Sequence, residues 1–243
     1  MLRRFSSITS TIKEPDQIAE WVTEQITHVI SLKQDGLCAA AQYDLTGHVL
    51  KRASLFQSRV PEKKIEKLLE SGQYIHLDKL GLDDFDTLVL SRIARFVNPR
   101  ISLLDLNSNP DIKDAGGEHI ARHVIAHTAI QSLFLSGCGL TDAGVTSIAA
   151  SVSRNKDLGI LELRKNAITD EGVEAITSAV LSNSHVRPMS IYLSGNLISD
   201  KGALSLAKAV LQRPHLKFWA MDSPAISQEA KEEICRYTRN VRF

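Results

Sequence analysis

Three histidines have the spacing in this 243-residue sequence that most suggests chemistry. His119, His123 and His127 are four residues apart, and on a helix this spacing brings two neighbouring imidazoles close enough to bind one metal ion. A third ligand is not evident, although Glu118 is adjacent. The simpler interpretation is a solvated flank of an amphipathic helix. We therefore predict no metal site and no cofactor.

A second segment suggests nucleophilic catalysis. Ser136-Gly137-Cys138-Gly139 places a hydroxyl and a thiol among glycines, as some catalytic loops do. No GxGxxG, Walker-type loop or HExxH accompanies it. We predict that the chain is not an enzyme, and we turn to the elements that must position these residues.

The segment lies within an internal repeat. Four copies of an LxLxx(N/C) core end at Asn109, Cys138, Asn166 and Asn196, which are 29, 28 and 30 residues apart. A signature of the type Ser/Thr-Asp-x-Gly follows each core, at residues 113–116, 141–144, 169–172 and 199–202, with lysine in the first copy. A hydroxyl at this place caps free N–H groups, and the aspartate lies at the positive end of a helix. Each unit is therefore predicted to be a strand, a turn and an amphipathic helix.

The repeated asparagine has a predictable structural role. An inward Asn amide both donates and accepts hydrogen bonds, so it can satisfy backbone groups at the bend after each strand. Asn109, Asn166 and Asn196 are predicted to form this structural ladder, with Cys138 as a compact weak donor in the same place. Cys138 is therefore expected to be buried and inert, and its glycine-rich loop to be structural.

This pattern resembles the leucine-rich-repeat family, in particular its ribonuclease-inhibitor-like class. The resemblance covers residues 74–243, including a C-terminal cap, and implies an α/β solenoid with five to six repeats. Its expected form is a short horseshoe with a parallel concave sheet and convex helices. The resemblance implies a protein-binding scaffold. Arg164 and Lys165 lie where some repeat proteins hold an arginine that activates a GTPase, which is a less favoured alternative.

The concave face is the predicted binding site. Residues between and after the strand leucines face this side, so copies of the repeat align them in lanes. Tyr192 and Trp219 are expected to be near contact, with Glu162 and Arg164 beside them. Aromatic residues with a charged edge are typical of binding hot spots. The predicted partner-binding residues are Phe134, Glu162, Arg164, Tyr192, Trp219 and Met221.

The segment before the repeats has two parts. Residues 1–13 are basic, rich in Ser and Thr and free of acid, as transit peptides are; a disordered start is the alternative. Residues 14–73 are predicted to be a helical N-terminal cap or subdomain, with helices at 15–33 and 61–69. The layout, with Trp21 in the first helix, is similar to mitochondrial proteins related to ATP synthase subunit s.

Composition excludes several partners. There are 29 Lys and Arg against 28 Asp and Glu, so the net charge is +1 and the chain has no electrostatic field strong enough to attract nucleic acid. No apolar run is long enough to span a bilayer. We predict a monomer that binds protein partners within a hetero-complex, as an adaptor, an assembly factor or a structural subunit in the mitochondrion. The alternatives are a cytoplasmic adaptor or regulator and a bacterial effector.

Overall fold

The computed structural model describes residues 58–69, 73–96, 98–184, 187–220, 223 and 225–243. The predictions for residues 1–13, for the helix at 15–33 with Trp21 and for the segment after it up to residue 57 lie outside the described residues. The chain divides into two compact units, Met1–Ile65 and Glu66–Phe243, and the repeats belong to the second unit.

The described residues of the second unit contain one parallel sheet of seven strands, and these strands alternate along the chain with six helices. The strands are β1 Tyr74–His76, β2 Leu103–Asp105, β3 Ser132–Phe134, β4 Ile160–Glu162, β5 Met189–Tyr192, β6 Leu216–Trp219 and β7 Val241–Arg242. Helix α1, Glu62–Leu69, precedes β1 and confirms the predicted helix there. The six alternating helices are α2 Asp84–Phe96, α3 Lys113–Ile120, α4 Asp142–Val152, α5 Asp170–Ser182, α6 Asp200–Gln212 and α7 Gln228–Tyr237. The sheet is open, which confirms the predicted α/β solenoid.

The strands follow one another in chain order, and their register repeats the sequence period. Leu133 pairs with Leu104 on one side and with Leu161 on the other, and Ile191 continues the row. All four side chains are fully buried between the sheet and the helices. The residues on either side of these four are only half-buried, because successive side chains of a strand point to opposite faces. We call the face away from the helices the sheet face.

The end of the solenoid differs from the prediction of five to six repeats. After the four copies, residues Leu216–Trp219 form strand β6, and the C-terminal segment predicted to be a cap contains helix α7. This helix returns the chain to a seventh strand, where Val241 pairs with Phe218 and Arg242 pairs with Trp219. Strand β7 has two residues and no leucine core, so the repeat pattern does not mark it.

The helix starts confirm the capping signature and add a contact between repeats. The hydroxyls of Thr141, Thr169 and Ser199 each accept a hydrogen bond from the backbone N–H two residues later. The aspartate that follows the cap also binds the next repeat: Asp142 accepts from the N–H and the hydroxyl of Thr169 and from the N–H of Gly172. Asp114, Asp170 and Asp200 make the corresponding contacts to Thr141, Ser199 and Ser227.

The glycine of the signature is required by this contact. A Cβ on Gly172 would lie 2.5 Å from Oδ1 of Asp142 and 2.7 Å from Cγ2 of Ile168, which is well inside van der Waals contact. The helices of successive repeats therefore approach as closely as the missing side chain allows. Each residue of the signature thus has its own role. The hydroxyl caps its own helix, the carboxylate accepts hydrogen bonds from the next repeat, and the glycine leaves room for the aspartate of the previous repeat.

A second set of polar contacts joins the helix C-termini. Asn155 donates from Nδ2 to the carbonyl of Ile125 in the preceding repeat, and Asn183 donates likewise to Val152. Asn98 and Arg213 bind the carbonyls of Leu68 and Leu181 in the same way. The last carbonyls of a helix have no partner inside the helix, so these side chains satisfy groups that packing would otherwise leave unpaired. No helix in the described part of the chain is long and apolar enough to cross a membrane.

Candidate protein-binding surface

The register of the strands places one continuous lane of side chains along the sheet face. Its members are His76, Asp105, Phe134, Glu162, Tyr192, Trp219 and Arg242. The first six form the lane that the repeat period predicts. Arg242 was not foreseen, because strand β7 was not.

Three side chains of the predicted site form one stack. The rings of Tyr192 and Trp219 lie with their centroids 4.5 Å apart and their planes at 11°. The guanidinium carbon of Arg164 lies 4.6 Å from the centroid of Tyr192. We call Arg164, Tyr192 and Trp219 the aromatic stack. The centroid separation is close to the spacing of neighbouring strands, so the two rings stand side by side across β5 and β6 with their edges directed out of the sheet.

The stack is held on the side of β4. Oε1 of Glu162 accepts a hydrogen bond of 2.8 Å from the hydroxyl of Ser136, and it lies 3.9 Å from Nε of Arg164. The separation of 3.9 Å is that of an ion pair and is too long for a hydrogen bond. Nε of Arg164 is therefore buried without a hydrogen-bond partner. The guanidinium is therefore held chiefly by the Tyr192 ring and by the charge of Glu162. An arginine over an aromatic face is stabilised by about 0.5–1 kcal/mol at such partly exposed sites.

Two predicted binding residues stand apart from the stack. Phe134 is half-buried in the same lane, but Glu162 separates it from Tyr192. Met221 lies outside the described residues. Sequence reasoning missed Lys217, which lies two residues before Trp219 on the sheet face and is exposed. The alternation of strand β6 would have identified it, since its neighbours Leu216 and Phe218 are apolar and buried.

The four ladder residues lie where each strand turns toward its helix. Oδ1 of Asn109 accepts from the N–H groups of Leu80 and Leu82, and its Nδ2 donates to the carbonyls of Leu77 and Leu106. Asn166 and Asn196 each make the same four kinds of contact with their own and the preceding repeat. Cys138 donates from Sγ to the carbonyl of Leu106 at 3.2 Å and is fully buried. These positions thus build the scaffold under the site.

The environment of Cys138 makes it a poor nucleophile. Burial raises the pKa of the Cys138 thiol to about 12; a hydrogen bond with the backbone of Asn109 lowers it in part, and the charge of Asp105 adds to the rise. The thiolate is the reactive form of cysteine, so this position is unreactive near neutral pH. The glycine-rich loop around it is a structural bend.

This pKa predicts a stability loss at alkaline pH. The folded state holds the thiol proton up to a pH of about 12, whereas the unfolded state releases it near 9. The contribution of this thiol to the free energy of unfolding is therefore fully present below about pH 9. It is lost as pH rises toward 12, by about 1.4 kcal/mol per pH unit. Urea unfolding between pH 8 and 11 should show that the free energy of unfolding falls more steeply with pH in the parent than in Cys138→Ser, because serine does not titrate at position 138. Parallel pH profiles for the two proteins would contradict the prediction.

The three histidines do not converge on one site. Helix α3 ends at Ile120, and a π-helical turn, Ala121–Ile125, follows it directly. Residues four apart no longer lie on one helical face across this turn. His123 is buried, 6% exposed, and its Nδ1 lies 3.2 Å from Nη1 of Arg95, which corrects the expectation of a solvated flank. His119 is half-buried and His127 is exposed. The described residues contain no group of three or more His, Cys, Asp or Glu that could hold a metal ion.

The comparisons with known proteins agree with this architecture. Residues 127–149 and 154–176 match a family model described as leucine-rich repeat. Among solved structures, the fold is similar to actin-binding site 2 of leiomodin-1, with a TM-score of 0.53 and 18% identity, over 64% of this chain and 88% of that one. A search of curated protein sequences gave no significant match. At this identity the structural similarity shows the fold alone.

Proposed function

We propose that this chain, a leucine-rich-repeat protein by its sequence matches and its fold, is a non-catalytic scaffold that binds a protein partner through the sheet face. Leucine-rich-repeat domains in general mediate protein–protein interaction, and the leiomodin-1 neighbour is itself described as an actin-binding site. The observation that carries the proposal is the aromatic stack. Tyr192 and Trp219 are half-buried and already stacked, and their edges are directed away from the core.

The mechanism is preorganisation. Aromatic side chains offer large contact areas and have few rotatable bonds, and in this chain their positions are fixed by each other and by Arg164. A partner that docks on them loses less conformational entropy than it would on mobile side chains. The parallel sheet below is tied by the asparagine ladder, so the surface keeps its shape on binding.

We propose further that the partner belongs to a mitochondrial complex, in which this chain is an assembly factor or a structural subunit. The basic, hydroxyl-rich residues 1–13 support this proposal. A cytoplasmic adaptor or regulator is the second candidate. Reading the N-terminus of the chain isolated from its native cell separates the two: a start after Phe5 together with mitochondrial partners supports the first, and an intact Met1 with cytosolic partners supports the second.

Removing the two rings is expected to abolish capture of the partner. Tyr192→Ala combined with Trp219→Ala removes the stack, and hot-spot aromatics typically contribute 2 kcal/mol or more each, so affinity should fall by at least about a hundredfold. The measurement is affinity capture from the native cell with quantitative mass spectrometry of the recovered proteins. Tyr237→Ala is the matched control, because Tyr237 is 67% exposed on helix α7 and not on the sheet.

Two readouts make this test decisive. Circular dichroism and urea unfolding must show that the double variant remains folded. If the folded double variant recovers the same proteins as the parent and the Tyr237→Ala control, the sheet face is not the binding site and the proposed function is wrong.

A further inference from the structure

Charge is unevenly distributed along the sheet face. The carboxylates Asp78 and Asp105 lie at the end formed by β1 and β2. Three cations, Arg164, Lys217 and Arg242, lie at the other end, among strands β4 to β7. The face therefore has an acidic end and a basic end, although the whole chain carries a net charge of only +1.

The carboxylate of Glu162, at the basic end, leaves two of the three cations there without an ion pair among the described residues. Glu162 accepts from Ser136 and is only 17% exposed, and of the three cations it pairs with Arg164 alone. Lys217 and Arg242 are exposed, and neither forms an ion pair within the described part of the chain. Two cations beside an aromatic stack are thus free to meet charge from a partner.

The cations surround the stack. Arg164 covers one face of Tyr192, Arg242 is paired with Trp219 across strands β6 and β7, and Lys217 precedes Trp219 on the same face. Neighbouring strands lie about 4.8 Å apart, so roughly 14 Å separates the strand of Arg164 from that of Arg242. An extended segment spans this distance with about four to five residues. The geometry suits a short peptide that carries charge at both ends and an apolar residue between them.

We propose that the partner segment recognised here is acidic: an extended stretch with Asp or Glu on both sides of one apolar or aromatic residue. The apolar residue packs on the edges of Tyr192 and Trp219, and the carboxylates meet Arg164 on one side and Lys217 with Arg242 on the other. This proposal rests on the proposed function and deepens it, because it states the chemistry of the partner at that same surface.

A nucleic acid fits the same surface less well. The facing sides of Tyr192 and Trp219 are occupied by each other, and Arg164 covers the other side of Tyr192, so a base could stack only on the far side of Trp219. A longer phosphate backbone would also extend past β4 to the acidic end of the face, where Asp105 and Asp78 lie. A short acidic peptide needs only the basic end.

The test is selection from a random peptide library displayed on phage, with the full chain immobilised. Selected peptides should be enriched in Asp and Glu around one apolar residue. A fluorescein-labelled selected peptide is then measured by fluorescence polarisation, together with a version in which each acidic residue is replaced by lysine. The acidic peptide should bind and the lysine version should not, and binding should weaken as salt is raised.

Charge reversal locates the contact. Lys217→Glu combined with Arg242→Glu should weaken the acidic peptide by roughly tenfold or more, because charge complementarity is replaced by repulsion. Lys208→Glu is the matched control, since Lys208 is exposed on helix α6 and not on the sheet face, and it should leave affinity unchanged. Enrichment of basic or neutral peptides, no enrichment at all, or displacement of the peptide by single-stranded oligouridine would each overturn the proposal.

The same variants separate this proposal from the proposed function. If capture of the native partner is lost in the Tyr192→Ala and Trp219→Ala double variant but kept in the double charge reversal, the binding surface is right and its acidic partner is wrong. If both double variants keep the native partner, both proposals fail.

Discussion

Replacing Leu163 with alanine is expected to lower the free energy of unfolding by about 2–5 kcal/mol. Leu163 is fully buried directly after strand β4, and the equivalent residues of the adjacent repeats, Leu135 and Leu193, are equally buried. The backbone N–H of Leu163 donates to the carbonyl of Tyr192, so this residue is bonded directly to a member of the aromatic stack. Truncation leaves a cavity in a row of side chains fixed by strand pairing, and such a row cannot collapse easily to fill it.

The matched control for this substitution is another leucine outside the core. Leu211 is 57% exposed on helix α6, so Leu211→Ala should change stability by no more than about 0.5 kcal/mol. Urea unfolding followed by circular dichroism measures both variants. Equal losses for the two leucines would mean that the strand register, and with it the composition of the sheet face, is wrong.

Much of the fold follows from the period of the sequence. The leucine core fixes which residues of each strand point inward, and a one-residue error would have moved every leucine to the other face. The lane from His76 to Trp219 follows from that register, and in the structure each member of the lane is paired with the next one on the neighbouring strand. The contact of Tyr192 with Trp219 could be predicted for the same reason, because equivalent positions of successive repeats become neighbours.

Contacts between unequal positions of the repeats could not be predicted in this way. The hydroxyl of Thr169 caps its own helix, as predicted, but the hydrogen bond that it also donates to the carboxylate of Asp142 in the preceding repeat was not predicted. The distance between those helices decides this contact, and it depends on the absence of a side chain at Gly172. Sequence spacing gives the residues that recur, and packing decides which of them touch.

Irregular local structure also escaped the pattern. The π-helical turn after Ile120 moves His123 into a buried position beside Arg95, although its four-residue spacing from His119 suggested one continuous helical face. Strand β7 contains too few residues to show a period. Arg242 was missed for this reason, and with it the second cation beside Trp219.

Replacing Asn109 with alanine is expected to cost roughly 3–6 kcal/mol, more than most polar substitutions. The Asn109 side chain is fully buried, and its amide is bonded to two N–H groups and two carbonyls within two successive repeats. Neither Leu80 nor Leu82 has another acceptor for its N–H in the described structure. Alanine leaves the N–H groups of Leu80 and Leu82 and the carbonyl of Leu77 without the partner that Asn109 supplies, whereas the carbonyl of Leu106 keeps its contact with Sγ of Cys138. Each group left unpaired costs about 1–3 kcal/mol when water cannot reach it.

The change Asn109→Asp tests the donor half of the ladder separately. An ionised carboxylate still accepts from Leu80 and Leu82, but it faces the carbonyls of Leu77 and Leu106 with negative charge and no proton to donate. Burial and these carbonyls should raise the pKa of the introduced carboxyl above the value near 3.9 of the unfolded chain. The folded variant then binds the proton more tightly, so its stability relative to the parent should fall as pH rises from 4 to 7. A pH-independent difference in urea midpoint between Asn109→Asp and the parent would show that burial and these carbonyls do not raise the pKa of the introduced carboxyl.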